Sequence, residues 1–177
     1  SKIYEDIALR TGGDIYVGVV GPVRTGKSTF IKRFMETMVI PNIDNVYVKE
    51  RARDELPQSG SGKTVMTAEP KFVPEDAVHI SIGEGTEMSV RLIDCVGYMI
   101  PGASGQMEDG QERMVTTPWF DNEISITEAA EEGTKRVICD HSTIGLVITT
   151  DGSICGIPRE NYIEAEEKVV SELNEIG

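Results

Sequence analysis

The chain is 177 residues long and 39% hydrophobic, which suits one domain, residues 1–177, able to bury a core without disulfide or metal staples. Its net charge of −13 is uneven: residues 1–72 carry 11 basic and 9 acidic side chains, residues 73–177 carry 6 and 21. So acidic a distal part argues against nucleic-acid binding and against adhesion to anionic lipid, and reads most simply as a solvated face.

The three cysteines, Cys95, Cys139 and Cys155, are far apart and outside any C-x-x-C pattern. Neither a disulfide framework nor a zinc site is supported, and a reducing cytoplasmic compartment fits. No apolar segment approaches the length of a membrane span, so direct membrane insertion is not expected, and the N-terminus lacks the regions of a signal peptide.

Residues 1–14 are a polar lead-in where Ile3, Ile7 and Ala8 suit a short helix, broken by Thr11-Gly12-Gly13-Asp14. The apolar run 15–20 predicts a strand that flows into Gly21-Pro22-Val23-Arg24-Thr25-Gly26-Lys27-Ser28-Thr29, the full G-x-x-x-x-G-K-[ST] spacing of a phosphate-binding loop. Such a loop wraps backbone N–H groups around a polyphosphate and aims a helix N-terminus at it. A Cβ at Gly21 or Gly26 would obstruct the turn or the approach of backbone to phosphate. Arg24, Thr25 and Thr29 belong to the same cradle, Lys27 reaches the β- and γ-phosphate oxygens, and the Ser28 hydroxyl ligates Mg²⁺. Phe30, Ile31, Phe34, Met35 and Met38 recur at helical spacing, predicting an amphipathic helix over 27–39 that ends before Pro41.

Residues 41–70 lose this periodicity and read as a long connection. In phosphate-loop switch proteins such a segment closes over the γ-phosphate, and a threonine in it completes the Mg²⁺ shell. Thr67 is the first candidate and Thr64 the second. Gly62-Lys63-Thr64 imitates a second phosphate loop, but Pro57 stands where its first glycine is required and no apolar strand leads into it.

Phe72-Val73 with residues 77–82 predict one strand, Gly83-Glu84-Gly85-Thr86 a hairpin, and residues 88–93 the returning strand. That strand runs into Asp94-Cys95-Val96-Gly97. After a phosphate loop and a hairpin, Asp94 reads as the Walker B acid that orients Mg²⁺, and the Gly97 N–H as a γ-phosphate donor. Many phosphate-loop GTPases place a water-orienting glutamine next, whereas here the residue is Tyr98. Water positioning then falls to a backbone carbonyl, a loop side chain such as Gln106, or a partner, and intrinsic hydrolysis is expected to be slow. Arg24 is a candidate cation supplied in cis, against the simpler reading of an exposed surface arginine.

Residues 101–123 read as a second mobile loop with Trp119-Phe120 as its apolar anchor. Ser125-Ile126-Thr127-Glu128 has capping-box spacing and opens a helix to about His141, with Ile126, Ala130, Gly133, Val137 and Ile138 on one face. Residues 144–148 predict a buried strand whose end, Thr149-Thr150-Asp151-Gly152, lies near the nucleotide edge, and residues 161–176 predict a last amphipathic helix. His79 and His141 are isolated and read as surface residues, not ligands.

This order is that of a GTPase-like, TRAFAC-type P-loop NTPase: an α/β fold with a mostly parallel sheet, one antiparallel edge strand and helices on both faces. The base-reading N-K-x-D strand would lie beyond Gly177, so the domain reads as truncated, and the motifs leave adenine and guanine both open.

More specific wording surrounds these motifs. Arg10-Thr11-Gly12-Gly13-Asp14-Ile15-Tyr16, Asp54-Glu55-Leu56-Pro57-Gln58-Ser59, Glu69-Pro70-Lys71-Phe72-Val73-Pro74, Asp94-Cys95-Val96-Gly97-Tyr98, Ser142-Thr143-Ile144-Gly145 and Thr149-Thr150-Asp151-Gly152 join the phosphate loop in a pattern covering nearly the whole chain. It closely resembles the N-terminal part of the stage IV sporulation protein A family, the spore-coat morphogenetic ATPases of endospore-forming bacteria. The resemblance implies a domain of GTPase descent that uses ATP and Mg²⁺, its hydrolysis driving polymerisation into the basement layer of the coat around the forespore, in the mother-cell cytoplasm. It implies Lys27 as the Walker A lysine, Asp94 as the Walker B acid and Thr67 as the first of two sensor threonines, the second replaced here by Ala68. The resemblance further implies self-association of the full-length protein, and spore-coat or membrane-peptide partners that bind through regions outside this chain. Beside this ATPase reading stand a GTP-binding switch read by an effector and a nucleotide-binding scaffold without turnover, which Tyr98 keeps open.

Overall fold

In a computed structural model, residues 6, 9–58, 69–83 and 85–176 are described. Strand β1 (Asp14–Val20) lies inside a four-stranded sheet. It pairs in parallel with β3 (Thr86–Asp94) on one side and with β8 (Ile144–Val147) on the other, while β2 (Lys71–Ile82) forms the far edge, antiparallel to β3. The mostly parallel sheet with one antiparallel edge strand is thus as the hairpin at Gly83–Gly85 predicts. Pairing in β2 shifts between Val73 and Val78, around Pro74, which has no N–H to give to a ladder.

A strand covered on both faces needs apolar side chains in both directions, and β1 supplies them. Val17 and Val19 pack with Ile31, Met35 and Leu92 beneath α1 (Lys27–Phe34) and α2 (Val46–Asp54). Val20 and Ile93 face the opposite core, formed with Val137, Tyr162 and Val169. Tyr162 and Val169 come from α4 (Glu160–Ile176), and Val137 from the wide turn Val137–His141 that continues α3 (Ile126–Arg136). Helices therefore cover both faces. Ser125 caps α3 as its spacing predicts, its side chain accepting the Glu128 N–H at 3.1 Å.

Three expectations are corrected. Residues 41–70 contain a helix, α2, that periodicity could not reveal because only Ala52 on it is buried. Its formation is local: the Asn45 side chain accepts from the N–H groups of Tyr47 and Val48, at 3.0 and 3.1 Å. Residues 101–123 are not one loop but run through two small hairpins, β4 (Met107–Glu108) with β5 (Gln111–Glu112), and β6 (Met114–Thr117) with β7 (Phe120–Ser125). Trp119 anchors the second of them, under the Arg136 guanidinium and against Gly133, where an added Cβ would meet its ring at 3.2 Å; Phe120 is exposed. Finally, β8 is not a buried strand: it pairs with β1 only among the described residues, and Ile144 and Gly145 are exposed.

Candidate functional site

The site begins where β1 leaves the sheet. Gly21 takes φ 139°, and a Cβ on it would collide with the Ile148 carbonyl oxygen just beyond β8, so the turn admits only glycine. The loop then closes on itself: the Thr25 hydroxyl and the Lys27 ammonium both donate to the Pro22 carbonyl, at 2.9 and 2.7 Å. Arg24 between them is left-handed, φ 62°, a conformation that costs a non-glycine residue about 1–3 kcal/mol and belongs to backbone concavities that bind anions. Gly26 caps α1, its carbonyl accepting the Phe30 N–H at 2.9 Å.

Two side chains from distant segments meet at the start of α1. Ser28 donates its hydroxyl to Asp94 Oδ2 at 2.6 Å, and Asp94 is delivered by the parallel register of β3 beside Val19. Burial pushes the Asp94 carboxyl above its ordinary value, while the Ser28 bond and the Lys27 charge hold it down. Lys27 is only 6% exposed, and burial brings its ammonium down to about 8 despite the attraction of Asp94.

Past Asp94 the chain is strapped to the back of the loop. Tyr98 N–H donates to the Gly21 carbonyl at 3.1 Å, and the Tyr98 carbonyl accepts from Val23 N–H at 2.9 Å. These bonds hold Gly97, φ 93°, against the loop, where a Cβ would lie 2.5 Å from Lys27 Nζ and 2.9 Å from the Gly21 carbonyl oxygen. The Tyr98 side chain turns the other way. It is 2% exposed and its hydroxyl donates to Glu172 of α4; burial first, then this bond, pushes the phenol up. Cys95 is buried in the same core with its thiol pushed up to about 12, which makes it unreactive.

Arg24, Thr25, Gly26, Lys27, Ser28 and Asp94 line one cavity of about 370 Å³. Arg24 is half-buried there, so the reading of an exposed surface arginine is corrected. Thr29 also lines the cavity and is exposed, whereas Gln106 bonds Thr127 at 3.4 Å and is not in the lining. Thr67, Thr64, Lys63 and Ala68 lie outside the described residues. Glu69, Lys71, Ile154 and Cys155, which no motif in the sequence marks, also line it. Lys71 stands opposite Asp94 in the β2–β3 ladder, and counting back from the hairpin fails to find it because of the register shift near Pro74. The approach of Cys155 to the loop, its Sγ 3.8 Å from the Arg24 carbonyl, follows from the route of the chain after β8, which no local signal encodes.

One hydroxyl and one carboxylate oxygen are a hard-cation donor set that suits Mg²⁺ when phosphate oxygens supply further ligands. The cradle that a Gly97 Cβ would fill suits a phosphate oxygen beside Lys27. Among the described residues no group of three or more His, Cys, Asp or Glu could hold a metal by itself, and no helix is long and apolar enough to cross a membrane.

A parallel strand leading through this loop into a helix, with an acid at the end of the neighbouring strand, is consistent with a P-loop NTPase domain. Comparison with known proteins narrows the class. Residues 1–177 match the family described as stage IV sporulation protein A, ATPase domain, and the chain belongs to that family. It is 63% identical over 175 residues to stage IV sporulation protein A of Bacillus anthracis, 60% over 176 residues to that of Clostridioides difficile strain 630, and 59% over 175 residues to that of Bacillus subtilis strain 168. Each match covers 99% of this chain and 36% of the relative, so the chain spans about a third of the length of these curated relatives. No solved structure matches the chain.

Proposed function

We propose that this GTPase-like domain binds ATP with Mg²⁺ in the loop cavity and hydrolyses it, and that hydrolysis drives self-assembly of the spore-coat basement layer at the forespore surface, in the mother-cell cytoplasm. The observation that supports this most is the 2.6 Å bond between Ser28 and Asp94, set beside a buried lysine at a helix N-terminus. Gly21 and Gly97 let backbone approach the phosphates, and the first-turn amides of α1 with Lys27 take up their charge. Ser28 and Asp94 would hold Mg²⁺, joined by Thr67. When bound, that ion neutralises charge on the β- and γ-phosphate oxygens. The Pro22 carbonyl keeps the Lys27 ammonium in place beforehand, so little ordering remains when phosphate binds.

Residues 41–70 and 97–123 are the segments that the nucleotide state reshapes, exposing assembly surfaces. Self-association belongs to the full-length protein, and spore-coat or membrane-peptide partners would bind through regions outside this chain. The burial of Tyr98 favours slow turnover and supports a second reading, a scaffold that holds nucleotide without hydrolysing it.

Phosphate release from ATP and from GTP by the full chain, by Lys27→Ala and by Asp94→Ala tests these readings. ATP is the expected substrate. Lys27→Ala weakens nucleotide binding, and Asp94→Ala keeps part of it but loses Mg²⁺-dependent hydrolysis. Undiminished turnover in either variant sinks the assignment. A preference for GTP supports the switch, and bound nucleotide without phosphate release supports the scaffold.

A further inference from the structure

A second lysine reaches the phosphate cavity from the edge of the sheet. β2 begins at Lys71, and the β2–β3 ladder sets it directly opposite Asp94. Directly opposed residues of an antiparallel pair project from the same face, and alternation along the strands identifies which face that is. Val73 and Leu92 pack in the core beneath α1, and Phe72 and Ile93 in the opposite core, so Lys71 and Asp94 return to the α1 side. Both line the cavity with Lys27 and Ser28. Lys71 nevertheless enters none of the ion pairs formed among the described residues, and it is exposed.

We propose that Lys71 is a second phosphate-binding cation, which contacts the terminal phosphate of a bound nucleoside triphosphate from the β2 edge. This rests on the reading of the loop cavity as the nucleotide site. A triphosphate with Mg²⁺, set against Lys27 and the Asp94 carboxylate, keeps an excess of negative charge. Phosphoryl transfer spreads that charge over the terminal oxygens, where a further cation is most effective. The strand end that carries Asp94 supplies no such help, since Tyr98 is committed to the opposite core. A lysine suits the position because it is a compact charge on a long stem. Contact with the terminal phosphate alone also makes Lys71 a discriminator between nucleoside triphosphate and diphosphate.

The test is equilibrium binding of ATP and ADP, each with Mg²⁺, to the full chain and to Lys71→Ala, Lys71→Arg and Lys27→Ala, with phosphate release measured alongside. Lys71→Ala weakens ATP binding about 10- to 100-fold and leaves ADP binding within about twofold. Lys71→Arg regains most of the preference for ATP, and the thermal midpoint of the nucleotide-free protein is unchanged in both, because the residue is exposed. An unchanged ratio of ATP to ADP affinity in Lys71→Ala overturns the proposal, whether both affinities hold or both fall. Wild-type binding of both nucleotides by Lys27→Ala overturns instead the reading of the cavity on which it rests.

Discussion

Gly97 and Tyr98 are neighbours in the chain and serve opposite sides of the sheet. Gly97 lies against Lys27 and the Gly21 carbonyl, in a space that a single methyl group would fill. Tyr98 lies in the core beneath α4 with its hydroxyl on Glu172. The same division runs through the whole strand end, Asp94 meeting Ser28 while Cys95 is buried in the second core. On the loop side, position is fixed by backbone and by polar contacts short enough to locate single oxygens. On the far side it is fixed by volume and burial. The position that holds a water-orienting glutamine in many phosphate-loop GTPases is here part of the packing, so its side chain does not reach the loop cavity, whereas Lys71 on the β2 edge lines it.

The largest effect is expected at Gly97. Gly97→Ala puts a methyl group 2.5 Å from Lys27 Nζ in a left-handed backbone, so ATP affinity falls about 100-fold or more, as titration of nucleotide into the variant measures. Wild-type affinity would show that the cradle is not where phosphate sits.

Burial of the Lys27 ammonium makes stability depend on pH. Its folded value of about 8 lies below its ordinary 10.5, so between these values the unfolded chain binds more protons than the folded one. Stability of the nucleotide-free protein therefore rises with pH over this window, by at most about 3 kcal/mol, and the rise is missing in Lys27→Met. Urea midpoints of the two proteins from pH 7.5 to 10 check this, and parallel curves would contradict the burial of the ammonium.

Tyr98 carries the smallest effect. Tyr98→Phe removes the bond to Glu172 and lowers stability by about 1 kcal/mol, while phosphate release at saturating ATP stays within about twofold of the unaltered chain. A large fall in turnover with stability intact would place the phenol in the chemistry.

Legibility in the sequence followed the same division. Lys27, Ser28, Asp94 and Gly97 could be read because the phosphate-loop and D-x-x-G patterns have fixed spacing, and the structure brings all four together. The cap at Ser125 and the hairpin at Gly83–Gly85 were equally local. Helix α2 escaped because its start depends on the Asn45 cap, not on an apolar stripe. The exposure of β8 escaped because an apolar run does not say how many neighbours a strand has. Lys71 escaped because the shift between Val73 and Val78 breaks the count that would have paired it with Asp94.

On the proposed reading, Ser28, Asp94 and Lys27 form one Mg²⁺–nucleotide site. A crystal structure of the full chain with Mg²⁺ and a non-hydrolysable ATP analogue tests it most directly. The metal is expected on the Ser28 hydroxyl with Asp94 in its shell, and the Lys27 ammonium on phosphate oxygens. A nucleotide bound away from residues 21–29, or a metal touching neither Ser28 nor Asp94, would contradict it.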